Sequence, residues 1–73
     1  MGQGEMKMEP FIEWKLLPRG TYTFAYDGKK ADVWQFGRNI WQWNICNQGI
    51  YTHLGKESTL DNACESAIKS MDL

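Results

Sequence analysis

Alternating side chains dominate the middle of this 73-residue chain. In residues 20–26 and again in 40–46, large apolar side chains alternate with smaller or more polar ones, and Trp41 and Trp43 stand two residues apart. Because side chains in a strand point to opposite faces in turn, this period of two puts both indoles on one side of a sheet. We predict five strands: 11–16, 20–26, 31–36, 40–46 and 50–54. The first could instead be an extended lead-in, because it is short and Pro18 follows it.

Gly and Asn residues interrupt these segments at short intervals. The runs "PRG", "DGKK", "GRN", "NQG" and "GKES" separate the predicted strands, and Asp27-Gly28 is the strongest hairpin signal because this dipeptide favours a two-residue turn. Short strands joined by tight turns predict an antiparallel meander.

A helix is predicted near the carboxyl end. Its apolar residues recur at the three- and four-residue spacing of one helical stripe: Leu60, Ala63, Cys64, Ala67, Ile68 and Met71. Ser58 with Asp61 resembles a capping box, and Thr59 is the alternative cap. The predicted fold class is α+β: an antiparallel β-meander of three to five strands with one C-terminal α-helix packed on one face. Residues 11–73 would form this single domain, preceded by a flexible lead at residues 1–10.

Charge and composition narrow the partners. Eight Lys and Arg against nine Asp and Glu give a net charge of −1, which argues against a strongly electrostatic partner such as duplex DNA or an anionic membrane. Two cysteines are too few for a disulfide scaffold, and no apolar run is long enough for a signal segment or a membrane span. These features predict a cytoplasmic protein without a membrane partner.

Catalytic constellations are not apparent in the sequence. His53 is the one histidine, and neither Cys46 nor Cys64 stands at a metal-ligand spacing from it. The sequence holds no nucleophile elbow, no Gly-rich phosphate loop before the helix and no paired acids. We therefore expect no enzymatic activity, no catalytic residue, no metal and no cofactor, with His53 an ordinary residue of an edge strand.

Trp34 and Phe36 depart from the pattern of one apolar face. If Val33 points to the core, both aromatics share the opposite face with polar residues that include Gln42 and Asn44. An exposed aromatic patch in polar surroundings is typical of a binding site, because Trp and Tyr often anchor interfaces. The four residues Trp34, Phe36, Gln42 and Asn44 are the predicted binding site. The alternative is a bulge or register shift that turns the two aromatics inward.

The run "LGKESTLDNA", residues 54–63, resembles the end of the sheet and the start of the helix in ethylene-response-factor-type DNA-binding domains and in phage integrase arm-binding domains. That resemblance implies three strands before one helix and a DNA-binding sheet face. The nucleic-acid rim would then be formed by basic residues placed in turns: Arg19, Lys29, Lys30 and Arg38. Those families usually carry an aromatic residue where this chain has Glu57.

Two further resemblances support the architecture. Trp41, Trp43, Ile45 and the residues that follow are similar to the small YegP-like domain. The span 11–71, with W-x-L-L-x-x-G-x-Y before W-x-W, resembles small uncharacterised phage and prophage proteins. Both patterns consist of fold-determining residues, so they imply architecture more than activity.

These observations favour a non-enzymatic protein-binding module, an accessory protein of a phage or mobile element that binds and modulates a host or defence protein. A sheet-face DNA-binding module is the alternative. A third interpretation is a homo-oligomer paired through the edge strand at 50–54, because that segment holds no Pro and no Lys.

Overall fold

Five antiparallel strands and one helix make up the residues that the computed structural model describes, 12–73. The strands pair in chain order, β1-β2-β3-β4-β5, so the sheet is a meander without crossovers. The elements are β1 (Lys15–Leu16), β2 (Tyr22–Tyr26), β3 (Lys29–Gly37), β4 (Ile40–Asn47), β5 (Ile50–Glu57) and α1 (Leu60–Met71). The predicted fold class is confirmed.

Strand ends differ from the prediction at several places. The first strand is only Lys15–Leu16, while the predicted lead at 1–10 and Phe11 lie outside the described residues. Strand β3 begins at Lys29, so Lys29 and Lys30 are strand residues and not turn residues. Strand β5 continues to Glu57 instead of ending at residue 54. The first three residues of the run "GKES", which was predicted to interrupt the strands, therefore lie in the sheet.

Two of the hairpins turn through two residues with positive φ. Asp27 and Gly28 join β2 to β3, and Gln48 and Gly49 join β4 to β5. Paired positive φ values are those of a type I′ turn, whose twist matches the twist of the flanking strands. The backbone amide of Gln48 donates a hydrogen bond to the backbone carbonyl of Gly28 at 3.2 Å. This bond links the two turns at one end of the sheet. The Asp27-Gly28 hairpin is confirmed.

Helix α1 is capped at both ends. The Thr59 hydroxyl accepts a hydrogen bond from the Asn62 amide at 3.1 Å, so Thr59 is the N-cap and the capping box predicted at Ser58 is wrong. At the other end the Lys29 ammonium donates to the Met71 carbonyl at 2.8 Å, where the helix dipole favours a positive charge. Among residues 12–73, no helix is both long and apolar enough to span a membrane.

The core lies between α1 and strands β3 to β5, with β2 adding to it. Trp14 packs beside the ring of Phe24 at 5.9 Å between centroids, and Tyr22 packs beside Trp41 at 6.5 Å. These aromatic pairs extend the core past the edge of the helix. The buried residues are Phe24, Ala31, Val33, Trp43, Ile45, Ala63, Ala67 and Met71.

Trp43 lies flat across the backbone of the neighbouring strand at Gly55, its cross-strand partner. A Cβ atom at Gly55 would stand 2.6 Å from Cζ2 and 2.7 Å from Cε2 of the indole. Gly55 is needed for space and not for backbone conformation, because its φ is not in the left-handed region. The indole nitrogen of Trp43 points to the Glu57 carboxylate at 3.5 Å, and the Ser66 hydroxyl donates to the same carboxylate oxygen at 2.9 Å. This group of residues joins β4, β5 and α1.

We expect Gly55→Ala to lower the free energy of unfolding by about 2 kcal/mol, because the added methyl group overpacks a rigid ring. Gly37→Ala is the matched control, since its Cβ would meet only Ile40 at an ordinary 3.6 Å. Urea denaturation of both variants measures the difference. Equal stabilities would contradict the close packing of Trp43 on Gly55.

Candidate functional site on the helix-free face of the sheet

Within the part of the chain that the structure describes, α1 covers one face of the sheet and no element packs on the other. We call the second the outer face. The pairing register places the following strand residues on it, because directly opposed residues share a face: Lys15, Thr23, Ala25, Lys30, Asp32, Trp34, Gln42, Asn44, Cys46, Tyr51, Leu54 and Lys56. Phe36 has no cross-strand partner and is placed on this face by the position of Lys56 over its ring. The four residues predicted as a binding site, 34, 36, 42 and 44, all belong to this face.

Phe36 is displayed by a β-bulge. Gln35 pairs with Trp41 and Gly37 pairs with Ile40, so Phe36 is the extra residue of β3. A bulge re-aims the side chain that it carries, and here Phe36 is 62% exposed. The Lys56 ammonium lies 5.9 Å from the centre of its ring, a distance at which a cation is attracted to the aromatic face. The bulge considered from the sequence thus exists, but it turns Phe36 outward and not into the core.

Trp34 is half-buried in a groove at the other side of the outer face. The groove has a volume of about 540 Å³, and its wall is the segment between β1 and β2. Two backbone hydrogen bonds hold that segment in place: the Leu17 amide to the Thr21 carbonyl at 2.8 Å, and the Gly20 amide to the Leu17 carbonyl at 2.9 Å. The lining residues of the sheet include Lys30, Asp32, Trp34 and Asn44.

Gln42 and Asn44 lie between the aromatic residues and β5, both half-buried. Asn44 is opposed by Asp32 on β3 and by Leu54 on β5. The Oδ1 atom of Asn44 is buried and accepts no hydrogen bond from any residue in 12–73. An unsatisfied buried carbonyl costs about 1–3 kcal/mol, so Asn44 is a position where the protein gives up stability.

The four residues predicted as a nucleic-acid rim are not brought together. Arg19 and Lys30 line the Trp34 groove, where the Lys30 ammonium is 3.9 Å from the Asp32 carboxylate. Arg38 is exposed in the turn between β3 and β4. Lys29 lies on the helix side, where its ammonium caps α1. The structure therefore gives Lys29 a structural role, brings Arg19 and Lys30 together at the Trp34 groove and leaves Arg38 in a separate turn.

Three residues of β5 on the outer face escaped the sequence prediction. Leu54 is 75% exposed and Tyr51 is 64% exposed, and Lys56 lies over Phe36. Tyr51 and Leu54 are three apart in sequence, a spacing that normally puts residues on opposite faces of a strand. They share a face because Ile45 pairs with His53 while Cys46 pairs with Tyr51, which leaves Thr52 as an extra residue. Alternation alone could not have found them.

The groups considered for catalysis or metal binding lie apart. His53 is an exposed residue of the edge strand β5, as predicted, and its Nδ1 is 3.0 Å from the Thr52 hydroxyl. Cys46 on the outer face and Cys64 on α1 are both free and half-buried. Burial, and then the negative charge of Asp61, raise the pKa of the Cys64 thiol. Within 12–73 no three His, Cys, Asp or Glu residues form a cluster that could hold a metal ion.

Comparison with known proteins adds no relative. No protein-family model, no curated protein and no solved structure matches the chain significantly. The residues of the outer face and of the sheet edge are therefore the features that bear on function.

We expect Asn44→Leu to raise the free energy of unfolding by about 1 kcal/mol, because an apolar side chain of similar size removes the unsatisfied carbonyl beside Leu54. Thermal and urea denaturation measure the change. Gln42→Leu, on the same strand and face, is the control, since Gln42 has no such buried atom in the described structure. A loss of stability in Asn44→Leu would show that the Asn44 amide is satisfied in solution.

We expect the Cys64 thiol to ionise at higher pH in the folded protein than in the unfolded chain. The rate of iodoacetamide alkylation against pH, measured in a Cys46→Ser background with and without denaturant, gives both midpoints. Asp61→Asn should lower the folded midpoint in part, because it removes the smaller of the two causes. Because the pKa of Cys64 is higher in the folded protein, the contribution of the protonated thiol to the free energy of unfolding is fully present at neutral pH. It is lost as the pH rises from the unfolded pKa through the folded pKa. Identical midpoints would contradict the burial of Cys64.

Proposed function

We propose that this protein is a non-enzymatic protein-binding module whose binding surface is the outer face of the sheet, with Phe36 as its central anchor and Trp34 in the adjoining groove. The observation that carries the proposal is the exposure of Phe36, which a bulge projects from a face that no other element of residues 12–73 covers. An exposed aromatic side chain beside half-buried polar ones is the arrangement in which interface anchors are found.

The surroundings of Phe36 favour a partner with a shallow, apolar pocket. Lys56 holds one side of the ring, and Gln42 lies beside Lys56 in the cross-strand row that also contains Trp34. A partner side chain that covers the ring would be enclosed by these polar groups, which exclude water from an interface core. Phe36 and Trp34 therefore supply apolar area, and the neighbouring amide and ammonium groups supply hydrogen-bond donors.

Charge on the outer face favours a partner that presents carboxylates. Lys15, Lys30 and Lys56 all belong to this face, while Asp32 is the one acidic strand residue on it among those described. Acidic residues on the helix side include Glu57, Asp61 and Glu65. The chain is close to neutral overall, yet the described strand residues of the outer face include three lysines and one acidic side chain. Such complementarity raises association rates and selects among partners.

We expect Phe36→Ala and Trp34→Ala each to weaken partner binding by about 2 kcal/mol or more, the scale of an interface hot spot. Affinity capture from the native host with the wild-type chain as bait identifies the partner by mass spectrometry, and titration calorimetry then gives the affinities. Phe36→Ala should melt within a few degrees of wild type, because the side chain is mostly exposed.

Tyr26→Ala is the matched control for Phe36→Ala. Tyr26 is also a partly exposed aromatic strand residue, but it is opposed by Lys29 and lies on the helix side. A partner that is lost with Phe36→Ala and kept with Tyr26→Ala supports the proposal. A partner that binds wild type, Phe36→Ala and Tyr26→Ala with equal affinity would contradict it. A Trp34→Ala variant that melts far below wild type would show that Trp34 is a structural residue.

DNA binding by the same face is the second candidate function, and the outer-face lysines are the observation that favours it. Lys15, Lys30 and Lys56 would meet phosphates while the aromatics stack or wedge. Binding to a duplex oligonucleotide, measured by fluorescence anisotropy at several salt concentrations, decides between the candidates. A protein that contacts several phosphates loses affinity with a log–log slope of about −0.9 per phosphate. Binding that is weak and lacks this slope supports the protein partner.

The proposed partner is a host or defence protein, as the resemblance to small phage and prophage proteins implies. A cytoplasmic location belongs to the same proposal and is supported by two free cysteines, since paired cysteines are typical of oxidising compartments.

A further inference from the structure

Strand β5 has one edge that no strand within residues 12–73 pairs with, and this edge is unusually apolar. It pairs with β4 on one side and stands at the end of the sheet on the other. Leu54 is 75% exposed, Ile50 is 68% exposed and Tyr51 is 64% exposed, and these are the three most exposed large hydrophobic residues of the described chain. All three fall within five consecutive residues. The exposure is therefore concentrated at one edge of the sheet.

The exposed side chains at this edge point to both faces. Tyr51 and Leu54 are on the outer face, whereas Ile50 is opposed by Asn47, which is itself opposed by Lys29 on the helix side. A partner resting on the outer face would leave Ile50 in water. A strand added at the edge of β5 contacts all three side chains, because a neighbouring strand carries residues on both faces.

Protection against strand pairing is present at one edge of the sheet and weak at the other. The β1 edge is two residues long and Pro18 follows it closely. The β5 edge is eight residues long, and its segment 50–54 holds no Pro and no Lys, Arg, Asp or Glu. Short length, Pro and charge are the usual means of blocking an edge. A β-bulge can also block an edge, and the bulge at Thr52 is the one blocking feature in segment 50–54.

We propose that the β5 edge binds a second copy of this chain, antiparallel and with Tyr51 opposite Leu54 of the other copy. In a two-fold antiparallel pair, opposed residues must point to the same face. The bulge at Thr52 meets this condition, since it puts Tyr51 and Leu54 on one face in spite of their odd spacing. The same register sets Ile50 opposite Gly55, and both of these lie on the helix side.

The charges and the buried area in this register are also compatible with a dimer. No charged side chain opposes another within 50–55, because that segment has none. Five to six residues from each copy, with three exposed hydrophobic side chains apiece, bury on the order of 1,000 Å² in total, the lower bound for a specific interface. The dimer is expected to be weak, with a Kd in the micromolar range.

Dimerisation would join two sheets into one of ten strands. A two-fold axis perpendicular to the sheet keeps both helices on one side and both outer faces on the other. The two Phe36 surfaces would then point the same way, and binding to a partner with two sites would gain from effective concentration. Dimerisation does not depend on the proposed protein-binding function, since it uses the edge and not the Phe36 surface.

The test measures the mass of the protein in solution by sedimentation velocity at concentrations up to roughly 100 μM, above the expected Kd. Wild type should shift from monomer to dimer with concentration. Leu54→Glu should remain a monomer, because two like charges are brought to one edge. Leu16→Glu, the same change at an exposed position of the opposite edge, should still dimerise. Melting curves of both variants confirm that they are folded.

Mixing two variants tests the register. Tyr51→Lys and Leu54→Glu should each be monomeric alone, and their mixture should form a heterodimer with one Lys–Glu pair and one native Tyr51–Leu54 pair. A monomeric wild type at the highest concentration would overturn the proposal, and so would a dimer that survives Leu54→Glu. A mixture that stays monomeric would overturn this register. Loss of the dimer in Phe36→Ala, with Leu54→Glu unaffected, would place self-association on the outer face.

Discussion

The packing of Trp43 on Gly55 is the contact on which the rest of the structure depends. A strand residue without a side chain lets the indole lie against the backbone of β5, and the ring then fills the space between the sheet and α1. The Glu57 carboxylate accepts hydrogen bonds from the Trp43 indole and from the Ser66 hydroxyl. In so small a domain, a few large aromatic residues must supply most of the apolar burial that offsets conformational entropy. Trp43 does so while also fixing the helix position.

The position of α1 determines which surfaces remain free. The helix packs on β3, β4 and β5; it begins just after β5 ends at Glu57, and the Lys29 ammonium at the start of β3 fixes its carboxyl end. Small residues of α1, Ala63 and Ala67, are completely buried against the strands. The helix thereby covers the central part of one face of the sheet. Within residues 12–73, nothing covers the outer face and the amino-terminal half of β5, and the most exposed aromatic and aliphatic residues of the sheet are concentrated there.

Much of this arrangement was predictable because alternation is a local property. Trp41 and Trp43 share a face in any strand, and the apolar stripe of α1 needs no knowledge of its neighbours. The end of β5 was not predictable, because Gly55 in the run "GKES" is typical of a turn. Gly55 is instead a strand residue because the indole of Trp43, twelve residues earlier in the chain, lies where a side chain at position 55 would be. The same holds for Glu57, whose role appears only when Trp43 and Ser66 are brought beside it.

Bulges occur at both candidate sites, and the one in β5 explains why Tyr51 and Leu54 were not predicted to share a face. One extra residue in β3 projects Phe36 from the sheet, and one extra residue in β5 puts Tyr51 and Leu54 on a common face. Each bulge interrupts the period of two for a single residue, so a local pattern cannot reveal it. Because a bulge weakens the ladder in which it occurs, the bulges at Phe36 and at Thr52 place local costs in stability beside exposed apolar side chains that are available for binding.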